Sequence, residues 1–328
     1  MMCAISLSQP RSARAWMGDA GLVLKQLAYL VALAREQHFG RAAESCNVSQ
    51  PTLSAAIRNL EDEVGAPIVE RGHRFNGFTP DGHIVLEHAK RILAECDTMR
   101  QGLTMLAEGL SGRLRIGAVP TALPVVSQVT GPFYVRYPKV SLTILSMTSS
   151  EIVRGIENFE VDVGLTYLEN DALTDVRVKP LYEENYLFLT PLDGPYRDKE
   201  TITWDEAAHA PLCLLTPDMQ NRRIIDGIFR SVGRTPAAAM ETNSIFNLCS
   251  HASAGHWSSI VPAPLLRFFG MPQRTKAIPL VSPDVRKSIG LIMSNREPTS
   301  PVARSLFNLV VPLDPEAVLK PPTRMATQ

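Results

Sequence analysis

Phe39-Gly-Arg-Ala-Ala-Glu-Ser-Cys-Asn-Val-Ser-Gln-Pro-Thr-Leu-Ser-Ala-Ala-Ile-Arg-Asn-Leu-Glu61 reads as two short helices joined by a tight turn. Ala42, Ala43 and Cys46 are small enough to let a second helix cross closely. Asn47 tolerates the left-handed conformation that ends a helix. Val48 plugs the turn. Ser49 is a good N-cap, and Pro51 sits in the first turn, where its missing N–H costs nothing. Leu53, Ile57, Leu60 and Val64 repeat at helical spacing and form the expected buried stripe. Gln50, Ser54 and Arg58 lie four apart on another face, with Thr52 at the same end. Side chains so placed on a recognition helix reach base edges: Gln pairs adenine, Arg pairs guanine, and Ser and Thr are less selective. The competing reading is an ordinary helical hairpin, a common unit in enzymes.

The flanks favour the DNA reader. Upstream, Leu24, Leu27, Leu30, Val31 and Ala34 form an amphipathic helix, the third member of a trihelical core. Downstream, Pro67 to Gly82 reads as a two-stranded wing with a turn at Asn76-Gly77. Arg71, His73 and Arg74 are placed to meet phosphates or the minor groove. Thr79-Pro80-Asp81-Gly82 caps a long helix.

Leu27 through Ile92 resembles the N-terminal domain of LysR-type transcriptional regulators. The resemblance rests on Arg41-Ala42-Ala43, Val48-Ser-Gln-Pro-Thr-Leu-Ser54, Ile57-Arg-Asn-Leu-Glu61, Val64-Gly-Ala-Pro-Ile68 and Thr79-Pro-Asp-Gly82. It implies a winged helix-turn-helix that contacts DNA through Arg41, Ser49, Gln50, Pro51, Thr52, Ser54, Arg58, Arg71, His73 and Arg74. It also implies pairing of dimers into homotetramers on double-stranded promoter DNA, with RNA polymerase a candidate partner. Gly40, Ala55 and Phe75-Asn-Gly-Phe78 depart from the family pattern and bear on base preference.

The chain has 328 residues and zero formal net charge. That length suits two or three domains. Across residues 22–80, Lys25, Arg35, Arg41, Arg58, Arg71 and Arg74 are balanced by Glu36, Glu44, Glu61, Asp62, Glu63 and Glu70. A neutral reader domain is unlike a nonspecific DNA coat protein. Its affinity must come from a few placed cations, helix N-termini and the pairing of two copies. No apolar run is long enough to span a membrane, so no membrane partner is expected. Residues 1–20 lack a secretory apolar core and are expected to be disordered, with Met17 an alternative start; the expected location is the cytoplasm.

Val85, Ala89, Ile92, Cys96, Met99, Leu103 and Leu106 alternate by four and three residues. That is a coiled-coil seam and predicts a homodimer helix over 81–111, ending in a hinge at Gly109 and Ser111-Gly112. A helix packed against its own domain would show the same stripe.

From Arg113 strands and helices alternate, the pattern of an α/β fold with a largely parallel sheet. Two lobes joined by two crossing strands resemble the family's co-inducer domain, itself similar to periplasmic solute-binding proteins. The expected organisation is a winged helix-turn-helix (21–80), a linker helix (81–111) and a two-lobed effector domain (112–313). Lobe I covers about 112–190 and 289–313, lobe II about 191–288, and 314–328 is a tail. Ligands bind open α/β sheets beyond the carboxyl ends of the strands, where helix N-termini suit anions. Hydroxyl and amide residues stand at four such junctions: Thr121, directly after Pro120; Thr148, Ser149 and Ser150; Thr216, Gln220 and Asn221; Asn243 and Ser244. The expected ligand is a small-molecule effector, an anion of unknown identity. Helix capping is the competing role for these residues, and surface solvation competes with carboxylate binding for Arg222 and Arg223. Trp257 either fills part of the cleft or packs in the core.

Enzymatic motifs are missing: there is no P-loop, dinucleotide fingerprint or nucleophile elbow. No cofactor or metal is expected, since Cys249, His251 and His256 lack zinc spacing. The five cysteines, Cys3, Cys46, Cys96, Cys213 and Cys249, are scattered, as in a reduced compartment. Two alternatives remain: a redox sensor using Cys213 and Cys249, or a small-molecule-binding protein or enzyme whose helical N-terminus serves dimerisation alone.

Overall fold

The computed structural model describes residues 24–70, 75–169, 173–236, 238–297 and 299–313, in two compact units divided between Asp97 and Thr98. The expectations for 1–20, for Arg71, His73 and Arg74, and for the tail 314–328 lie outside the described residues.

The first unit is built on α1 (Leu24–Glu36), α2 (Phe39–Ser45), α3 (Gln50–Val64) and the start of α4 (Pro80–Glu108). Leu27, Leu30 and Leu33 of α1 meet Ala42 and Ala43 of α2 and Leu53, Ile57 and Leu60 of α3, all at most 2% exposed. Small alanines at the crossing let the helices approach. Asn47 takes the left-handed conformation (φ 56°) that separates α2 from α3. Val64 stands outside the expected stripe at 39% exposure, because the helix closes at Gly65 (φ 75°) and the chain turns away. The wing begins and ends in a bridge between Val69 and Phe78. Glu61 of α3 holds its first strand, accepting from the N–H groups of Ile68 (2.8 Å) and Val69 (3.0 Å).

The second unit contains β1 (Gly112–Ala118), α5 (Leu123–Arg136), β2 (Val140–Ser146), α6 (Ser149–Glu157), β3 (Val163–Tyr167) and β4 (Val176–Pro191). It continues with β5 (Ile202–Thr203), α7 (Trp204–Ala207), β6 (Leu212–Leu215), α8 (Gln220–Ser231), β7 (Ala238–Thr242), α9 (Ile245–Ser253) and β8 (Ser258–Pro262). The last elements are α10 (Ala263–Phe269), β9 (Thr275–Val281), β10 (Arg286–Ser294) and α11 (Pro301–Leu309). Strands run in the order β2-β1-β3-β10-β4-β8-β6-β7, with β9 on β4 and β5 on β9. The β1–β2 and β1–β3 pairs are parallel, and β10 is antiparallel to both of its neighbours.

Strand β4 belongs to both lobes. Up to Asn185 it pairs with β10; from Tyr186 it pairs with β8, and from Leu187 with β9. The lobe boundary therefore falls at Asn185–Tyr186 rather than at 190–191, and the chain returns to lobe I from Arg286. Phe188 and Leu189 are already in lobe II cores. Strand β3 starts at Val163, just after Asp162, whose carboxylate accepts from the Arg115 N–H (2.7 Å) and guanidinium (2.8 Å). Tyr167 is its last residue.

Candidate functional site

Two places in the fold gather the candidate residues. On α3, Ser49 Oγ accepts from the Thr52 N–H at 3.3 Å and lies 2.8 Å from Thr52 Oγ1, so the cap fixes the start of the helix. Gln50, Pro51, Thr52 and Arg58 are exposed and Ser54 is half-buried, on the side away from Leu53, Ile57 and Leu60. Arg58 makes no ion pair with a described residue. Arg41 is exposed but its guanidinium is tied to the Glu36 carbonyl at 2.7 Å. The predicted seam on α4 divides: Ala89 is fully buried and Val85 half-buried in the trihelical core, whereas Ile92 (38%), Met99 (60%) and Leu103 (62%) are exposed. Cys96 is half-buried, and the Leu106 side chain lies outside the described ones. Ala89 serves its own domain because its period also matches the packing of α4 on α1–α3.

The second place is a narrow crevice between lobe I and lobe II of the effector unit, with most of its lining buried. Val119, Pro120, Thr121, Thr148, Ser149 and Tyr167 line it from lobe I, and Leu215, Met219, Gln220 and Asn221 from lobe II. Each polar residue stands at the carboxyl end of a strand or the start of a helix, as doubly wound sheets require. The two helix ends differ. Thr148 caps α6 with a full capping box, so the Glu151 carboxylate occupies that N-terminus. Met219 caps α8 without a side-chain acceptor, which leaves the first-turn N–H groups to solvent or a ligand.

Of the expected effector residues, Pro120, Thr121, Thr148, Ser149, Gln220 and Asn221 meet in the cleft. Ser150, Thr216, Asn243 and Ser244 do not line it. Ser150 Oγ lies 3.2 Å from the cap Thr148, and Ser244 begins α9. Thr216 holds the sheet edge, donating its N–H to the Thr242 carbonyl at 3.0 Å. Arg222 is 8% exposed and bound to Asp226, Glu241 and the Leu215 carbonyl; Arg223 is bound to Gln220 and the Asp218 carbonyl. Trp257 packs with His251, His256 and the lobe II core, which answers its two roles in favour of packing.

The sequence reading missed the centre of the site. Tyr167 Oη lies 3.0 Å from Thr121 Oγ1, receives Asn221 Nδ2 at 3.1 Å, and donates to Glu184 Oε1 at 2.5 Å. Glu184 is fully buried and also accepts from Tyr186 (3.2 Å), while its Oε2 has no partner among the described residues. Burial pushes the Glu184 carboxyl up to about 7, against the downward pull of the two tyrosine hydrogen bonds. Tyr182-Glu184-Tyr186 alternates along β4, and that period-two pattern was the available signal.

An exposed, capped recognition helix followed by a two-lobed cleft is the architecture of a ligand-responsive DNA-binding regulator. Residues 24–83 match the family model described as bacterial regulatory helix-turn-helix protein, lysR family, and residues 107–313 match the LysR substrate binding domain. The chain belongs to the LysR family of transcriptional regulators. It is 30% identical to the uncharacterized HTH-type transcriptional regulator YnfL of Escherichia coli, over 86% of this chain and 95% of that protein. It is 28% identical to a hydrogen peroxide-inducible genes activator of Escherichia coli, over 82% and 88% respectively. Full-length OxyR of Pseudomonas aeruginosa, solved as a cysteine-to-aspartate variant, superimposes with TM-score 0.69 at 25% identity, over 93% of this chain and 99% of that one. No described helix is long and apolar enough to cross a membrane.

Proposed function

We propose that this regulator reads a partly palindromic promoter site with Gln50, Thr52, Ser54 and Arg58 of α3. The observation that carries the reading is the exposure of Gln50, Thr52 and Arg58 on a helix whose other face is wholly buried. Two copies pair through the exposed apolar row Ile92, Met99 and Leu103 of α4, since single helices rarely leave such a row to water. Dimers pair again into a tetramer on DNA, in the cytoplasm, within reach of RNA polymerase. A small anion between the lobes shifts the balance between assembled geometries through its different affinity for them. The uncapped start of α8 supports that charge. The protein acts by binding, without catalysis of its own.

The test is Arg58→Ala in footprinting across a salt series on the DNA upstream of the protein's own gene. The expected loss is about 2 kcal/mol, roughly 30-fold, concentrated at one base pair of each half-site. Unchanged protection sinks the recognition-helix assignment and leaves the helical unit a dimerisation appendage. A redox reading through Cys213 and Cys249, which share one core, has their chemistry against it. Burial pushes both thiols up, Cys249 to about 11, and the thiolate is the reactive form.

A further inference from the structure

A single chain of hydrogen bonds joins the cleft to the buried carboxyl behind it. A phenol has one hydrogen. While Tyr167 donates it to Glu184 (2.5 Å), its oxygen can only accept from Thr121 (3.0 Å), so the Thr121 hydroxyl turns its hydrogen inward and its lone pairs to the cleft. A proton on Glu184 Oε1, the oxygen that faces Tyr167, reverses the chain. Glu184 then donates to Tyr167, Tyr167 to Thr121, and Thr121 donates into the cleft.

We propose that the cleft takes up a small acceptor ligand, of the carboxylate class, together with one proton from solvent, which is held on Glu184 and relayed as donor polarity through Tyr167 to Thr121. This rests on the reading of the cleft as the effector site. No bond of the ligand is broken, and the proton returns to solvent when the ligand leaves.

Charge supports the coupling. None of the described residues lining the cleft is a cation, and the Arg222 and Arg223 guanidinium groups are engaged elsewhere. An anion beside an ionised, buried Glu184 meets a like charge at low dielectric; protonation removes the repulsion. Burial already brings this carboxyl to about 7, so the proton is available near neutrality. The titratable groups beside it are Tyr167 on β3 and Tyr182 and Tyr186 on β4, and burial raises all three phenols well above their ordinary range, so they keep their hydrogens. Of the basic groups on elements packed against β4, Lys287 and Arg286 of β10 pair with Glu169 and Asp284. Lys276 of β9 binds the Arg197 and Lys199 carbonyls, and His251 of α9 meets the Asn247 carbonyl. Neither these nor Arg267 of α10 sets the Glu184 carboxyl, which answers to burial and two tyrosines. The chain also ties the lobes together: Thr121 and Tyr167 come from lobe I, Asn221 from lobe II, and Glu184 from the crossing strand.

The experiment is calorimetric titration of the full chain with acetate, and with uncharged acetamide, in two buffers of different ionisation enthalpy from pH 6 to 8.5. The expected result is acetate binding with uptake of about one proton at pH 8, and affinity falling about tenfold per pH unit above 7. Glu184→Gln, which stays neutral and can donate, should bind acetate with no proton uptake and little pH dependence. Tyr167→Phe keeps the ring in the cleft lining and removes the hydroxyl that passes the Glu184 proton's effect to Thr121, so its proton uptake should also fall, which covers a Gln variant that fails to fold. Acetate binding without uptake in the native chain, or uptake that survives Glu184→Gln, overturns the relay and leaves the effector cleft standing. Failure of both probes to bind a chain that still protects its DNA overturns the anion-binding cleft itself.

Discussion

The recognition helix and the effector cleft solve recognition in opposite ways. The helix presents Gln50, Thr52 and Arg58 to solvent on a frame built from neighbours in sequence: a Ser49 cap, an Asn47 turn and a Leu53–Ile57–Leu60 stripe. The cleft presents few free groups. Its polar atoms are held to one another across long stretches of chain, Thr121 to Tyr167, Tyr167 to Glu184 and Asn221 to Tyr167. A DNA reader needs side chains ready to exchange water for bases, so they stay unengaged. A ligand switch needs groups whose state changes on binding, so they are buried, where one proton or one hydrogen bond has a large effect.

The largest expected effect falls on the reader alone. At Gly82 an added Cβ would lie 2.0 Å from the Ile68 carbonyl oxygen, a backbone atom with no room to move. Thr79 Oγ1 fixes this corner by accepting the Gly82 N–H at 2.9 Å. Gly82→Ala should therefore destabilise the first unit by about 4 kcal/mol, in the range of severe overpacking and strain. Hydrogen exchange should show that loss in α1–α3 while β1–β3 keep their protection. Equal loss in both units would mean that the two fold as one cooperative body, with no separate local frame for the reader.

The next effect belongs to the cleft and depends on pH. The folded chain holds the Glu184 proton more tightly than the unfolded chain, because burial raises this carboxyl to about 7. Stability then falls as pH rises from the ordinary carboxylate range through about 7, and the full cost is carried above it. Glu184→Gln removes the titration. It should stabilise the second unit on the order of 3 kcal/mol at pH 8 and leave it nearly unchanged at pH 4.5. Urea unfolding at the two pH values measures this. A difference that is the same at both would show that Glu184 contributes through shape rather than charge.

The contrast also explains what was legible in the sequence. Caps, turns and helical stripes are local, so Ser49, Asn47, Pro51 and the exposed row of α3 could be read directly. The junction rule found Thr121, Thr148, Ser149, Gln220 and Asn221, because strand ends facing a crevice are a property of topology. Thr216 and Ser244 obeyed the same rule, yet hold the sheet edge and the start of α9, and Asn243 lies between β7 and α9 without lining the cleft. Glu184 was hidden because Glu183-Glu184-Asn185 looks like a polar loop. Its partners are β10, far away in sequence, and Tyr167 at the end of β3. The seam on α4 divided at Ala89 because one helical period serves a domain core and a dimer equally well.

The smallest effect separates positioning from base reading within the reader itself. Ser49 is exposed and its hydroxyl satisfies the Thr52 N–H, so Ser49→Ala chiefly removes a cap. The expected cost is about 1 kcal/mol in the unfolding of the first unit. On DNA the loss should be a few-fold and uniform across sequences, because the helix end shifts relative to phosphates while Gln50 and Arg58 keep their rotamers. Arg58→Ala, by contrast, should relax preference at one base pair with stability unchanged. Competition footprints on a set of single-base operator variants tell the two apart. If Ser49→Ala relaxed a particular base pair, the cap hydroxyl would itself be reading sequence, and the exposed face of α3 would start one residue earlier than Gln50.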